Sequence, residues 1–201
     1  KDQFVHAVKK EVVAFYGEDP KSSSDYGRII NSRHFLRLKG LIPEDVIIGG
    51  ESDEESKYIS PTIFHAKIND PIMKDEIFGP LLPIIEVESK EEARSIITSK
   101  EKPLAFYIFT ELINEARKFI DSINFGGGVI NDTLIHIAND KMPFGGVGHS
   151  GLGGYHGEHS FKTFSHAKSV ITRKTVFDIL VRYPPYFGKL KIVRWLMKWV
   201  G

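Results

Sequence analysis

The residues able to do chemistry fall mainly in two stretches. The first is Asp75-Glu76-Ile77-Phe78-Gly79-Pro80. A carboxylate accepts hydrogen bonds through both oxygens, so Glu76 can hold sugar hydroxyls, while an aromatic ring two residues on can lie against a heterocycle. On composition alone, a solvated acid beside a core Phe is the simpler reading. The second stretch is 143–157, where seven of fifteen residues are Gly. Ordering so many glycines is entropically costly, and such a run marks backbone that turns sharply or approaches something closely. Gly146-x-Gly148-x-x-Gly151 matches the dinucleotide fingerprint as a string, but no strand precedes it and 169–173 hold no acid for a ribose. Ser150, in Gly-His-Ser-Gly, lacks the spacing and the strand of a nucleophile elbow. His156 and His159, with His149 and His166 nearby, carry metal-ligating nitrogens. Gly157 argues against the helix that would put the first two on one face, and no carboxylate motif completes a set, so surface histidines are expected.

These residues need elements to position them. Phe4, Val5, Val8, Val12, Phe15 and Tyr16 recur at helical spacing and predict a helix over 1–16, stopped by Gly17. Asp19-Pro20 and Ser22-Ser23-Ser24 predict a loop over 18–27. Asn31 or Ser32 caps a second helix to about Leu41, with Phe35, Leu38 and Ile42 inward. Val46-Ile47-Ile48 reads as a short strand ended by Gly49-Gly50, and 51–55 as a solvated acidic turn. Pro61 interrupts a strand over 58–64, which marks an edge or a bulge. An alternation follows: strand over 81–87, helix over 89–99 capped by Ser89, strand over 104–109, helix over 111–124, strand from Gly127. That order predicts βαβ units and a parallel sheet. Residues 164–172 read as a strand, and 189–200 as a basic amphipathic helix.

The chain of 201 residues is long enough to bury about 70% of its unfolded surface, so a core forms without staples. With 41% hydrophobic and 26% charged residues, whole-chain disorder is excluded. Cysteine is absent, which removes disulfides, Cys-bound zinc and any thiol nucleophile from these residues. No apolar run reaches the ~18 residues of a membrane span, and no secretory signal opens the chain. A cytoplasmic location is the expectation. The first residue is not Met, so processing, a tag or excision from something longer is expected. The net charge of +1 hides an asymmetry: residues 173–201 hold seven basic residues and one acid, so the tail is +6 and the remainder −5. Trp195, Met197 and Trp199 among those cations leave three readings open: a solvated helix, a helix docked on protein, or one resting on an anionic membrane. No basic surface in the body matches a nucleic acid.

Glu76-Ile77-Phe78-Gly79-Pro80 resembles the Glu-x-Phe-Gly-Pro motif of the aldehyde dehydrogenase superfamily. Pro143-Phe144-Gly145-Gly146-Val147-Gly148-His149-Ser150-Gly151 resembles its Pro-Phe-Gly-Gly-x-x-x-Ser-Gly stretch, and Asn131-Asp132 stands where that family has an Asn after a Gly-rich strand start. Residues 26–31, Tyr155-His156-Gly157 and Tyr183-Pro184-Pro185 narrow the resemblance to the class 3, fatty-aldehyde-type branch.

The resemblance implies an α/β fold: the parallel-sheet part of a catalytic domain over 1–164, an oligomerisation strand over 165–174 and a C-terminal extension over 175–201. It implies oxidation of fatty or aromatic aldehydes to carboxylic acids with NAD or NADP. A Cys thiolate attacks the aldehyde, hydride leaves to the nicotinamide, and a Glu-activated water hydrolyses the thioester. Glu76 would then bind the nicotinamide ribose and Phe78 pack near the nicotinamide. Asn131, Leu134, Ile137, Phe144 and His156 would serve the aldehyde side. Residues 165–173 would pair with a second copy in a homodimer, and 189–200 would cover the substrate funnel or touch a membrane peripherally. The family's catalytic Cys, general-base Glu and dinucleotide-binding domain all belong upstream of Lys1. The expectation is therefore a fragment that is inactive alone. The rival is a non-catalytic dimerising interaction module.

Overall fold

The computed structural model describes residues 1–176, 178 and 180–200, with the side chain of Val200 excepted. Phe177, Ile179 and Gly201, which belong to the expected C-terminal extension, lie outside the described residues.

Helix α1 spans Asp2–Tyr16 and ends at Gly17, whose φ of 79° suits a residue without a Cβ. Val5, Val8, Val12 and Tyr16 are half-buried as the spacing predicts. Phe4 and Phe15 are instead exposed, because α1 lies against the remainder of the chain on a narrow strip only. Helix α2, Ser32–Lys39, is capped by Asn31, whose side chain accepts from the His34 N–H at 2.8 Å. It buries Phe35 and Leu38 completely, against Ile59, Phe64, Ile72 and Leu81.

Strands β1 (Ser52–Asp53) and β2 (Tyr58–Ile59) form an antiparallel hairpin around the acidic turn. Ser60-Pro61 separates β2 from β3 (Thr62–His65), as a residue without an N–H must. β3 pairs in parallel with β4 (Leu81–Ile84). Helix α3 (Lys90–Thr98) follows, with the Ser89 hydroxyl accepting from the Glu92 N–H at 3.1 Å. β5 (Ala105–Ile108), α4 (Ile113–Asp121) and β6 (Gly127–Ile130) make a βαβ unit whose strands pair in parallel.

Four expectations are corrected. Among the described residues the strands form three separate two-stranded sheets rather than one, because no ladder joins β4 to β5 across α3. Residues 46–48 make only a bridge between Ile48 and Ile63, since Gly49 and Gly50, both at positive φ, turn the chain away at once. Residues 164–172 form no ladder, and Val170 and Ile171 are 72% and 92% exposed: an extended segment is a strand only when something pairs with it. Gly157 does not prevent a helix but opens one, α5 (Gly157–Thr163): at φ 46° it makes the entry turn in a conformation that a residue without a Cβ adopts freely. The last helix, α6 (Leu190–Val200), forms as its period predicts and leaves Trp195 and Trp199 exposed.

Candidate functional site

Glu76 follows the short 3-10 turn Pro71–Met73 and lines a cleft of about 960 Å³. Lys100, Leu104, His149 and Ser150 contribute other parts of its lining. Two residues on, Phe78 is 76% exposed and sits at φ 50°, a left-handed conformation that costs a non-Gly residue about 1–3 kcal/mol. Helix α2 holds this segment. The His34 Nε2 donates to the Phe78 carbonyl at 2.8 Å, and Arg37 Nη2 donates to the Ile77 carbonyl. Gly79 is required: a Cβ there would come within 2.5 Å of Leu38 Cδ1.

The expected aldehyde-side residues meet around the Gly-rich segment. Phe144 and Tyr155 exchange backbone hydrogen bonds at 3.0 and 2.9 Å, closing the base of a hairpin. At its tip the Ser150 hydroxyl accepts from the Val147 N–H at 2.9 Å. The tip residues His149 and Ser150 line the Glu76 cleft. At the base, the Phe144 ring stacks on His156, with centroids 6.3 Å apart. His156 Nδ1 lies 3.2 Å from the Met142 carbonyl, which can only accept, so Nδ1 carries a proton, and in the neutral ring Nε2 has the lone pair. Leu134 and Ile137 lie in the turn after β6; Leu134 is exposed at φ 61° and Ile137 half-buried. Asn131 does not present a free amide. Its Oδ1 accepts from the Thr110 N–H at 2.7 Å and its Nδ2 donates to the Thr110 carbonyl at 2.8 Å. It thereby ties the end of β6 to the end of β5.

Sequence reasoning missed His136 and Tyr107. His136 is buried between Tyr107 and Phe144, at ring-centroid distances of 5.8 and 6.1 Å. Both its nitrogens, and the Tyr107 hydroxyl, are buried without a hydrogen-bond partner. It also missed His34 and Arg37. A signal was present for these, since residues 34, 37 and 38 share one helical face.

A nicotinamide dinucleotide fits part of this arrangement. Glu76 offers a carboxylate at a cleft and Phe78 an exposed ring beside it, which suits a ribose and a flat heterocycle. The glycines of 146–151 do not suit phosphate: Gly148 and Gly151 bridge each other, and the Gly151 N–H is spent on the Gly148 carbonyl at 3.3 Å. Among the described residues no three His, Cys, Asp or Glu side chains gather as a metal-ligand set, around His156 and His159 or elsewhere.

Comparison with known proteins agrees with the fold. The aldehyde dehydrogenase family matches residues 1–170, and the chain belongs to that family. Within it, the chain falls in the class 3 branch. It is 46% identical over 98% of its length to the 4,4'-diaponeurosporen-aldehyde dehydrogenase of Staphylococcus aureus. It is 47% identical over 94% of its length to the dimeric NADP-preferring aldehyde dehydrogenase of Rattus norvegicus. The chain spans 44% and 43% of the length of these two relatives. Its fold matches the substrate-bound state of Staphylococcus aureus AldH with a TM-score of 0.89, at 45% identity, covering 98% of this chain and 44% of that one. It matches the Mycobacterium tuberculosis aldehyde dehydrogenase complexed with NAD+ with a TM-score of 0.75, at 27% identity, covering 89% and 38%.

Proposed function

We propose that this chain forms the nicotinamide-facing and aldehyde-facing walls of an NAD(P)-dependent aldehyde dehydrogenase acting on fatty or aromatic aldehydes. One observation carries the reading: a single Gly-rich hairpin spans both walls, its tip lining the cleft of Glu76 and its base carrying Phe144 against His156. When bound, the nicotinamide supplies the hydride acceptor. Glu76 accepts hydrogen bonds from the ribose hydroxyls, and the exposed Phe78 ring limits where the nicotinamide can lie. Leu134, Ile137 and Phe144 exclude water from the aldehyde, which keeps a thioester from premature loss. His156 Nε2, free to accept, faces polar substrate groups. Asn131 acts by fixing the turn that carries Leu134. With zero cysteines here, the thiolate that attacks the aldehyde comes from outside these 201 residues; the family resemblance implies the same of the base that activates water.

The test is absorbance of NAD(P)H formed by the complete gene product with medium-chain and aromatic aldehydes. Turnover is expected there, and none from residues 1–201 alone. Glu76→Gln raises the KM for cofactor about tenfold, since it weakens a charge-assisted hydrogen bond. Turnover by the 201 residues alone would overturn the division of labour.

Two partner readings go with this one. Residues 165–173 pair with the sheet of a second copy, supported by the exposed Val170 and Ile171 and by the dimeric state for which the rat relative is named. α6 rests on anionic lipid, supported by exposed Trp195 and Trp199 among Lys191, Arg194 and Lys198. No described helix is long and apolar enough to cross a membrane, so this contact is peripheral. Co-sedimentation with phosphatidylserine vesicles at low salt checks it: binding supports it, and no binding removes it.

A further inference from the structure

Helix α2 grips the segment after Glu76 at three successive residues. Arg37 Nη2 donates to the Ile77 carbonyl, His34 Nε2 donates to the Phe78 carbonyl at 2.8 Å, and Leu38 packs where Gly79 lacks a Cβ. Positions 34, 37 and 38 are the i, i+3 and i+4 sites of one helical face, so a single rigid element makes all three contacts. The helix is itself anchored: Phe35 and Leu38 are fully buried and Asn31 caps its start.

The two donors are linked. Arg37 Nε donates to His34 Nδ1 at 3.2 Å. A guanidinium has no acceptor, so Nδ1 must bear the lone pair and Nε2 the proton. That is the tautomer able to donate to the Phe78 carbonyl. Arg37 thus sets the proton on His34 while fixing the neighbouring carbonyl. The residue so held, Phe78, is the one at φ 50° with its ring exposed. A bulky side chain in that conformation needs outside contacts to stay there.

We propose that His34 and Arg37 are positioning residues for the nicotinamide cofactor, holding the Ile77 and Phe78 carbonyls so that the Phe78 ring and the Glu76 carboxylate keep a fixed relation. This rests on the cofactor reading of Glu76 and Phe78 above. Neither His34 nor Arg37 touches the cofactor; each acts through the backbone of the motif.

The complete gene product and its His34→Ala, Arg37→Ala and His34→Gln variants test this. NAD(P)H affinity is read by nicotinamide fluorescence, together with separate KM values for cofactor and aldehyde. His34→Ala and Arg37→Ala are expected to weaken NAD(P)H binding and raise cofactor KM about three- to tenfold, with aldehyde KM unchanged. His34→Gln is expected to stay near wild type, because its amide offers one donor and one acceptor in place of the two ring nitrogens. Wild-type affinity in His34→Ala overturns the proposal, and so does a His34→Gln variant as weak as His34→Ala. If the wild-type gene product neither binds NAD(P)H nor oxidises an aldehyde, it is the cofactor reading that fails. A crystal structure of the His34→Ala, Arg37→Ala double variant then decides the positioning role. Phe78 leaving its left-handed conformation upholds it, and Phe78 retaining that conformation overturns it.

Discussion

A methyl group at position 127 would sit 2.7 Å from Cδ2 of His136, closer than two such atoms can pack. Gly127 therefore belongs with the buried imidazole that lies over it. Gly127→Ala is expected to destabilise the complete gene product by about 1–3 kcal/mol in urea denaturation, as overpacking does. Adding His136→Ala should cost much less than the two single changes predict, a coupling of about 0.5–3 kcal/mol. Additive effects would mean that the ring and the glycine do not meet. His136→Ala leaves no hydrogen-bond partner stranded, since neither ring nitrogen has one. Asn131 is the opposite case. Both ends of its amide are used, on the two backbone groups of Thr110. Asn131→Leu removes both hydrogen bonds and puts a branched apolar side chain at φ 61°, and is expected to cost about 1–3 kcal/mol. It should also raise aldehyde KM more than cofactor KM, because the turn that it ties carries Leu134. Steady-state kinetics with each substrate varied in turn checks this. Asn131 was named from its motif, yet the motif says nothing of what its amide bonds.

Elements are held by local signals that can be removed one at a time. Ser89→Ala takes the cap from α3 and should cost about 1 kcal/mol, read by thermal unfolding. In the β1–β2 hairpin, the Ser56 hydroxyl donates to Asp53 at 2.6 Å, and Lys21 lies 2.9 Å away. The Ser56 hydrogen bond first, and Lys21 second, pull the Asp53 carboxyl down to about 2. The group is ionised in the fold at lower pH than in the unfolded chain. Its contribution is thus present above the ordinary carboxylate range and is lost as the pH falls toward 2. An NMR titration of the Asp53 carboxyl carbon should show that low midpoint, and Ser56→Ala should raise it. These devices were legible beforehand where they are local: Asn31 and Ser89 as caps, Gly17 as a stop, Pro61 as a break. The strand expected over 164–172 was not, because pairing depends on a partner outside the segment.

At the scale of the whole molecule, much apolar surface faces outward. Val170, Ile171 and Phe187 are 72%, 92% and 100% exposed, and Trp195 and Trp199 are 61% and 76% exposed. Large apolar side chains exposed in such number point to surfaces that pack against something else. For the complete gene product, sedimentation velocity should report a dimer, and Ile171→Asp should shift it toward monomer. An unchanged dimer would remove 165–173 from the interface. The proposed contact of α6 with anionic lipid draws on the +6 charge of 173–201 against −5 for the remainder, and high salt should weaken it.

Signals that act over a few residues were readable from the amino acids alone. They include the helical period of α1, α2 and α6, the caps, the strand–helix alternation and the motif strings around Glu76 and Phe144. The absence of cysteine likewise settled that no thiol comes from these residues. What tertiary structure alone decided is which of these groups meet. His34 bonds the carbonyl of a residue 44 positions away, and Asn131 bonds one 21 positions away. The orphaned imidazole of His136 and the separation of the strands into pairs belong to the same class. Such meetings follow from how buried side chains pack, and packing joins residues that no local period connects.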